Sequence, residues 1–270
     1  MPIPHDYHLH TRFSCDSKTE MIEMCRSAVE KGIPEIGFTD HFDLYPTDEC
    51  RGFYRPDEWW AELERCREQF AGRLLIRAGV ELGEPHLYAS EAQSLLARYS
   101  YDYCLGSLHN LGQHSVFDRA YFEVPMDEGY GRYFAELERM TRAGGFDVLS
   151  HFDVVLRYGV RAYGGYDPAR YEDAIRPVLQ HCINFGIALD INTAVVRRFA
   201  AQLCPGVQVL TWYREMGGER ITLGSDAHKP ENVGADLDQA IAAARQAGFE
   251  HVTQYEQRQP RMAILEAVED

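Results

Sequence analysis

The chain has 270 residues, of which 42 are acidic and 27 are basic, so its formal net charge is −15. Apolar residues make up 45% of it, which excludes a disordered protein and is typical of a globular one. So acidic a chain is not expected to offer a broad surface to nucleic acids or anionic membranes, because both bind clustered lysine and arginine. The eleven histidines are the feature of this composition that most needs an explanation.

The sequence predicts a soluble, cytoplasmic protein. Its seven cysteines are odd in number, scattered and without a CxxC pair, which is typical of reduced thiols rather than of a disulfide framework. The first residues, MPIPHDYHLH, lack the basic and apolar regions of a signal peptide. No apolar run approaches the roughly 18 residues that a membrane-spanning helix needs.

Short β-rich segments alternate with amphipathic segments along the chain. Apolar residues follow a helical stripe from Met21 to Val29; Ser17 or Thr19 can cap the start of this helix, and Gly32 ends it. In chain order, the predicted elements are a strand near 5–10, the helix from Met21, a strand at 35–40, a helix over about 57–71, a strand at 74–82, a helix at 90–98, a strand at 101–109, a helix at 127–143, a strand at 146–153, a helix at 168–185, a strand at 187–192, a helix at 206–216, a strand at 221–226 and a helix at 234–247.

About seven strand-then-helix units result, which predicts an α/β fold of parallel strands joined by right-handed crossovers. The segment 249–253 is either an eighth strand or an edge. No linker or repeat divides the chain, so residues 1–270 are predicted to form one domain. In parallel α/β barrels the carboxyl ends of the strands meet on one face, where active sites lie.

Nearly every predicted strand ends with an acidic residue or a residue that can bind a metal. These strand-end residues are His8 and His10, Asp40 and His41, Glu81, His109, His151 and Asp153, Asp190 and Asn192, and Asp226 and His228. Residues far apart in sequence are therefore expected to share one pocket at the carboxyl face of the barrel. The other five histidines lie outside this pattern and are interpreted as surface or packing residues.

Taken singly, these residues have simpler interpretations. His8 and His10 are two apart, so both rings leave a strand on the same side and can bind one ion, although two packing histidines fit equally. Asp226 and His228 repeat that spacing. Glu81 ends an apolar strand, where a carboxylate is costly unless it binds a cation, pairs with an arginine or caps a helix. Two paired motifs, one at each end of the chain, favour a metal site.

The motifs resemble, in order, those of the PHP (polymerase and histidinol phosphatase) metal-dependent phosphoesterases. They are HLH at 8–10, Asp16, TDH at 39–41, GVE at 79–81, GSLH at 106–109, SHFD at 150–153 and GSDAH at 224–228. Within that family, HFDVVLRYG at 151–159 and INTAVVRR at 191–198 look most like the stand-alone histidinol-phosphate phosphatases of histidine biosynthesis. The resemblance implies a distorted seven-stranded β/α barrel with its site at the carboxyl ends of the strands.

The resemblance also implies three divalent transition-metal ions, of zinc, manganese or iron. The implied ligands are His8, His10, Glu81 and Asp226 for the first ion; Glu81, His109 and His151 for the second; and Asp16, His41 and His228 for the third. Some relatives have histidine in place of Asp16, and the oxygen ligand here favours manganese or iron. Asp40 and Asp153 are expected to orient the ligands.

The implied reaction is hydrolysis of L-histidinol phosphate to L-histidinol and phosphate by a hydroxide that bridges metal ions. Three divalent ions against three carboxylates leave the pocket positive, so an acidic protein can still bind a small phosphorylated substrate. The resemblance makes Arg197 the first choice for a phosphate-binding residue, and Arg161 is the second. Candidates for the proton donor are Asp40, Asp153, His228 and a metal-bound water.

Three alternatives remain. A PHP phosphoesterase of nucleotides or short oligonucleotides would use stacking residues such as Tyr54, Trp59 and Trp60, and the segment 42–60 is either a mobile substrate loop or a packed connection. An amidohydrolase-type barrel needs a lysine at the fourth strand end, where this chain has His109. A non-catalytic PHP module loses ligands, whereas all nine ligand positions here carry competent residues.

Overall fold

The computed structural model describes residues 2–197 and 202–265. Helices and short strands alternate along this part of the chain, as the sequence predicts. The strands are β1 (Asp6–Leu9), β2 (Glu35–Phe38), β3 (His41–Phe42), β4 (Leu75–Ala78), β5 (Glu81–Gly83), β6 (Leu105–Ser107), β7 (Asn110–Leu111), β8 (His114–Ser115), β9 (Val148–Leu149), β10 (Ala188–Asn192), β11 (Ile221–Gly224), β12 (His251–Glu256) and β13 (Gln259–Ile264).

The helices lie between these strands and cover their outer side. They are α1 (Met21–Glu30), α2 (Pro56–Gln69), α3 (Ala89–Arg98), α4 (Met126–Ala143), α5 (Leu156–Tyr163), α6 (Glu172–Phe185), α7 (Val207–Glu215) and α8 (Leu237–Gln246). Short 3₁₀ helices at Arg119–Phe122, Pro168–Tyr171, Ala194–Arg197 and Pro230–Asn232 complete the elements of the described residues. No helix among the described residues combines the length and the hydropathy that crossing a bilayer requires.

The barrel strands are parallel and form two sheets that share interrupted strands. One sheet has the order β1-β2-β4, and the other has the order β11-β10-β9-β6-β5-β3. β2 and β3 are one strand position broken at residues 39–40, and β4 and β5 are another broken at 79–80. A parallel bridge between Leu9 and Ala227 joins β1 to the end of β11, with His10 N donating to Ala227 O at 2.9 Å. Seven parallel strand positions result, which confirms the predicted α/β barrel class.

The first helix shows how local sequence sets these elements. In its apolar stripe Met21, Met24, Cys25 and Ala28 are fully buried against the barrel, and Val29 is partly buried. The predicted cap was wrong: the residue that caps the helix is Glu20, just before Met21, and its side chain forms a capping box with Glu23. The hydroxyls of Ser17 and Thr19, predicted as caps, instead donate to the His228 carbonyl at 2.9 Å each.

The segment at 249–253 became part of an antiparallel hairpin, β12 and β13, rather than an eighth barrel strand. This hairpin contacts residues at the amino ends of the barrel strands. Tyr255 N donates to the Tyr7 hydroxyl at 3.3 Å, and the Arg258 guanidinium forms two bonds to Asp147 at 2.9 and 3.0 Å. The hairpin therefore covers the end of the barrel opposite the predicted site. That residues 1–270 form one domain stays a prediction.

The prediction of reduced thiols was wrong for two cysteines. Cys15 and Cys50 form a disulfide, with their Cα atoms 5.2 Å apart and a sequence separation of 35. The other five cysteines are buried free thiols. An odd count without a CxxC pair could not reveal this bond, because the fold brings two separate loops together.

Candidate metal centre

The carboxyl ends of the barrel strands bring the nine predicted metal ligands into one cluster. Glu81 is the first residue of β5 and is paired in register with His41, the first residue of β3. The remaining ligands lie in β1 or in the loops that follow β1, β6, β9 and β11. Groups of potential ligand atoms that lie within 4.8 Å of one another are His10 with His41 and His228, His8 with His10 and Asp226, His8 with Glu81 and His151, and His41 with Glu81 and His109.

Glu81 is the centre of this cluster. Its side chain is fully buried, and the Ser107 hydroxyl donates to its Oε1 at 2.6 Å. Five imidazole nitrogens lie between 3.0 and 3.4 Å from its two carboxylate oxygens, from His8, His10, His41, His109 and His151. One carboxylate with so many nitrogen neighbours has the surroundings that a bridging metal ligand requires.

Two further carboxylates complete the cluster on the side nearer to solvent. Asp226 Oδ1 lies 3.3 Å from His10 Nε2 and 4.0 Å from His8 Nε2. Asp16 Oδ2 lies 2.9 Å from His228 Nε2 and 3.8 Å from His41 Nε2. Asp16 is about half exposed, whereas Asp226 is nearly buried, so the third predicted ligand set lies at the mouth of the pocket.

His8 and His10 present Nε2 to the cluster, and other groups hold their Nδ1 atoms. His8 Nδ1 lies 3.0 Å from Asp190 Oδ2, and His10 Nδ1 lies 3.0 Å from the Ser14 hydroxyl. Fixing one ring nitrogen by a hydrogen bond leaves the other available as a metal ligand. Asp190 was predicted at a strand end without a role, because it is 182 positions from His8 in sequence. Ser14 was not predicted, although it is only four positions after His10.

Electrostatics keep the carboxylates of the cluster ionised. Burial alone would raise the pKa of Glu81, but the charges of His41 and His8 outweigh it and lower that pKa well below its ordinary value. Burial would likewise raise the pKa of Asp226, and His8 and His10 lower it instead. Both groups are therefore anionic at neutral pH, as metal ligands would need to be.

The residues present fit a divalent metal. Burial, together with the charges of His228 and His41, lowers the pKa of His10 to about 3, so this ring is neutral. Its buried Nε2 has no aligned hydrogen-bond partner among the described residues, which leaves a lone pair directed at the cluster. Burial also lowers the pKa of His151. At His41 the neighbouring carboxylates outweigh burial and raise the pKa of the imidazole to about 10. This ring therefore carries a proton when no cation is bound, and a bound cation would replace that proton.

A cavity of about 280 Å³ opens at the mouth of the cluster. Asp16, His41 and His109 line its inner side, and Phe117 lines its outer wall. Residues 47–50, from the segment predicted as a substrate loop, line it as well, whereas residues 56–60 of that segment begin α2. The cavity therefore gives a small molecule access to the ligand cluster.

Two of the residues predicted as catalytic are enclosed. Asp40 is fully buried and accepts four hydrogen bonds, at 2.6–2.9 Å, from the Thr11 amide and hydroxyl, the Ser14 hydroxyl and the Trp59 indole. It thus reaches His10 through Ser14, as an orienting residue would. Asp153 faces Tyr166 and Cys204, and burial raises its pKa to about 6. His228, the third predicted catalytic residue, is partly exposed beside Asp16.

The predicted phosphate-binding arginines lie in different surroundings. The Arg197 guanidinium donates to the Ser225 carbonyl at 2.7 Å and to Asp236 at 3.1 Å, and so holds the loop that carries Asp226. Arg161 lies on α5 and lines a second cavity that shares Phe117 with the first. Arg198, the last residue of the motif at 191–198, lies outside the described residues.

The aromatic residues considered for stacking nucleobases belong to the core. Trp59 is fully buried and Tyr54 nearly so, and their ring centroids lie 6.1 Å apart. Trp60 is partly buried and packs at 5.3 Å against Trp59. Tyr54 and Trp59 are therefore enclosed, whereas Trp60 also lines a separate surface cavity, so the nucleotide alternative stays a prediction.

Comparison with known proteins agrees with this geometry. Residues 6–194 match the family model of the PHP domain. A probable histidinol-phosphatase of Deinococcus radiodurans is 30% identical over 256 residues, which cover 92% of this chain and 95% of that protein. A probable histidinol-phosphatase of Clostridium acetobutylicum is 28% identical over 250 residues, with coverage of 92% and 95%.

A solved structure has the same fold. It is the histidinol phosphate phosphatase of Lactococcus lactis subsp. lactis, complexed with zinc, L-histidinol and phosphate. It superposes with a TM-score of 0.86 over 96% of this chain and 98% of that one, at 22% sequence identity. At that identity the similarity concerns the fold, and it supports the assignment of the barrel.

Proposed function

This chain belongs to the PHP domain family, as its motifs indicated, and we propose on that basis that it hydrolyses L-histidinol phosphate to L-histidinol and phosphate. The observation that carries the proposal is the buried carboxylate of Glu81 with five imidazole nitrogens within 3.4 Å. The relatives named as histidinol-phosphatases support the choice of substrate, because they align over most of this chain.

We further propose three divalent metal ions, of zinc, manganese or iron, held by the nine residues of the cluster. The ligand sets are those that the motifs imply, and Glu81 belongs to two of them. Such ions, when bound, would offset the negative charge of the phosphoryl oxygens. They would also lower the pKa of a bound water molecule, so that hydroxide is available to attack phosphorus. Imidazole with carboxylate is a donor set that suits transition metals better than magnesium or calcium.

The residues of the chain have distinct parts in this proposal. Glu81 and Asp226 stay ionised in a buried place, so they keep cations there at neutral pH. Asp190 and Ser14 hold the rings of His8 and His10 with Nε2 directed inwards. These contacts preorganise the site, so little rearrangement precedes reaction.

Substrate contacts and proton transfer stay predictions. Of the three side chains predicted as proton donors, His228 lies nearest to solvent, with 28% of its side chain exposed at the mouth of the pocket. Because it is also a proposed ligand of the third ion, it could donate a proton only from the ring nitrogen that the ion leaves free. Asp40 and Asp153 are enclosed, which suits orienting roles. Arg161 and Arg197 are proposed for phosphate, and Arg197 also holds the loop at Ser225. A cytoplasmic location and the absence of extended nucleic-acid or membrane partners also stay predictions.

Two measurements on the purified protein test the proposal. Metal analysis should find more than one transition-metal equivalent per chain, and a protein without bound metal would contradict the metal centre. A screen of phosphomonoesters should show the highest kcat/KM for L-histidinol phosphate. A preference for nucleoside phosphates would be compatible with the proposed metal centre but would contradict L-histidinol phosphate as the substrate. Hydrolysis of a C–N bond without phosphatase activity would contradict the proposed reaction.

A further inference from the structure

Asp43, a carboxylate to which the motifs give no role, lies between two candidate metal ligands. It is 2% exposed and follows His41 by two residues. Its Oδ2 lies 3.3 Å from His41 Nδ1, and its Oδ1 lies 3.6 Å from His109 Nδ1. One buried side chain thus faces rings from two different strand positions.

Both rings have their other nitrogen directed at the metal cluster. His109 Nε2 lies 3.2 Å from Glu81 Oε1, and His41 Nε2 lies 3.8 Å from Asp16 Oδ2. A neutral imidazole has one N–H, and a carboxylate that accepts it at Nδ1 leaves the lone pair at Nε2. His41 Nδ1 is also 3.3 Å from Glu81, and neither His41 Nδ1 nor Asp43 Oδ1 has an aligned hydrogen-bond partner among the residues that the structure describes. With Glu81 engaged by cations, Asp43 would be the acceptor that remains for this ring.

The surroundings of Asp43 are built to hold it in this place. A Cβ atom at Gly83 would overlap Asp43 Oδ1, so the glycine makes room for the carboxylate. Gly52 N donates to the Asp43 carbonyl at 2.9 Å and fixes the backbone. On the other side, the buried Glu84 accepts from the amides of His109 and Asn110 at 2.7 Å each, which fixes the backbone of the second ring.

We infer that Asp43 is a positioning residue that fixes Nδ1–H on both His41 and His109 and thereby couples two metal positions. This inference rests on the proposed metal centre. His41 belongs to the third ligand set and His109 to the second, so one carboxylate serves both. An asparagine at this position has a single acceptor oxygen, which can serve one ring while its amide group opposes the N–H of the other.

The test is metal affinity, measured apart from activity. Competition between the protein and a chelator should show 10- to 100-fold weaker binding of at least one ion in Asp43→Asn, which is the usual effect of losing such a partner. Gly83→Ala should weaken binding in the same direction, because it displaces the carboxylate. Asp102→Asn is the matched control: Asp102 is also buried, but it accepts from the Ala78 amide near the other end of the barrel.

A spectroscopic readout covers the case in which a variant does not fold. Ring ¹⁵N NMR of the zinc-loaded wild-type protein should show Nδ1–H on both His41 and His109. An Nε2–H on either ring, or unchanged affinity in a folded Asp43→Asn, would overturn the inference while leaving the metal centre intact. A wild-type protein that binds no metal at all would instead overturn the proposed centre, so the two failures are distinguishable.

Discussion

Glu81 remains ionised in a fully buried position because ring nitrogens from five histidines surround it. Glu81→Gln keeps the shape of the side chain but removes the charge that offsets the cations, so the metals lose their common ligand. We expect kcat/KM for a phosphomonoester to fall by at least about 100-fold and the bound metal to decrease, measured by steady-state kinetics and metal analysis.

Glu35→Gln is the matched control for that substitution. Glu35 is also buried, but it pairs with Arg77 at 2.6 Å near the amino end of the barrel, away from the ligand cluster. It should keep its bound metal even if its stability falls. Full phosphatase activity in a folded Glu81→Gln protein would exclude a bridging role for this residue.

His5 makes a prediction about pH that does not depend on the metal. Its fully buried ring accepts the Leu223 amide at 3.2 Å, and burial lowers its pKa to about 3. The His5 ring stays unprotonated in the folded protein, whereas the same ring binds a proton in the unfolded chain below about pH 6.5. The free energy of unfolding therefore falls as the pH falls from 6.5 towards 3. His5→Gln keeps an acceptor and cannot titrate.

The comparison is between unfolding free energies at pH 7 and pH 5, from urea titrations of metal-free protein. The wild type should lose about 2 kcal/mol more than His5→Gln over this interval, because one proton contributes about 1.4 kcal/mol per pH unit. Equal losses in the two proteins would mean that His5 is accessible to protons in the folded state.

At the scale of loops, the disulfide joins two segments at the mouth of the candidate metal centre. Cys15 precedes Asp16, and Cys50 lies in the loop after β3 that also contains Asp43 and lines the cavity. A covalent link across 35 residues restricts the unfolded chain, so replacing both cysteines by serine should lower the unfolding free energy by about 2–4 kcal/mol under oxidising conditions. Urea unfolding with and without dithiothreitol measures this difference.

The control for the loop experiment is Cys182→Ser, which changes a buried free thiol. Its unfolding should respond to dithiothreitol as the wild type does, whereas the double variant should not respond. If dithiothreitol does not change the unfolding free energy of the wild type, the Cys15–Cys50 disulfide is absent in solution.

The elements were predictable where local pattern and topology suffice. Parallel strands converge at their carboxyl ends, so a histidine or carboxylate at each strand end located the cluster from the sequence alone. Helix α5, at Leu156–Tyr163, was not predicted; it lies between the predicted strand at 146–153 and the predicted helix at 168–185, in a stretch to which no element was assigned. The small hairpin of β7 and β8 was also not predicted, because each of its strands has only two residues, too few to show an alternating pattern.

Contacts between distant loops were beyond the sequence. Asp43 and His109 are 66 positions apart, and no periodicity relates them; only the strand register brings their side chains together. Trp59 was considered a stacking residue because the sequence shows an aromatic cluster near a loop. Its burial, with the indole donating to Asp40 at 2.8 Å, follows from how α2 packs on the barrel.

At the scale of the whole molecule, the ligand cluster joins strand ends that are separated in the chain. His8 lies in β1, Glu81 in β5, and Asp226 follows β11, so a cation bound by them links positions all around the barrel. Without cations, the ionised carboxylates depend on imidazolium protons for charge balance, as the raised pKa of His41 indicates. Binding to the folded state alone therefore stabilises the whole barrel.

Chelation should lower the thermal stability of the entire protein in one transition. A ligand at 100 times its Kd contributes about 2.7 kcal/mol, and a domain of this size loses roughly 2–4 °C per kcal/mol, so a chelator should lower Tm by roughly 5–10 °C. Zinc or manganese should restore Tm, whereas magnesium should not, because imidazole ligands disfavour it. In Glu81→Gln the response to chelator should shrink. A wild-type Tm unchanged by chelation would mean that the carboxyl ends of the strands are held by packing and hydrogen bonds alone.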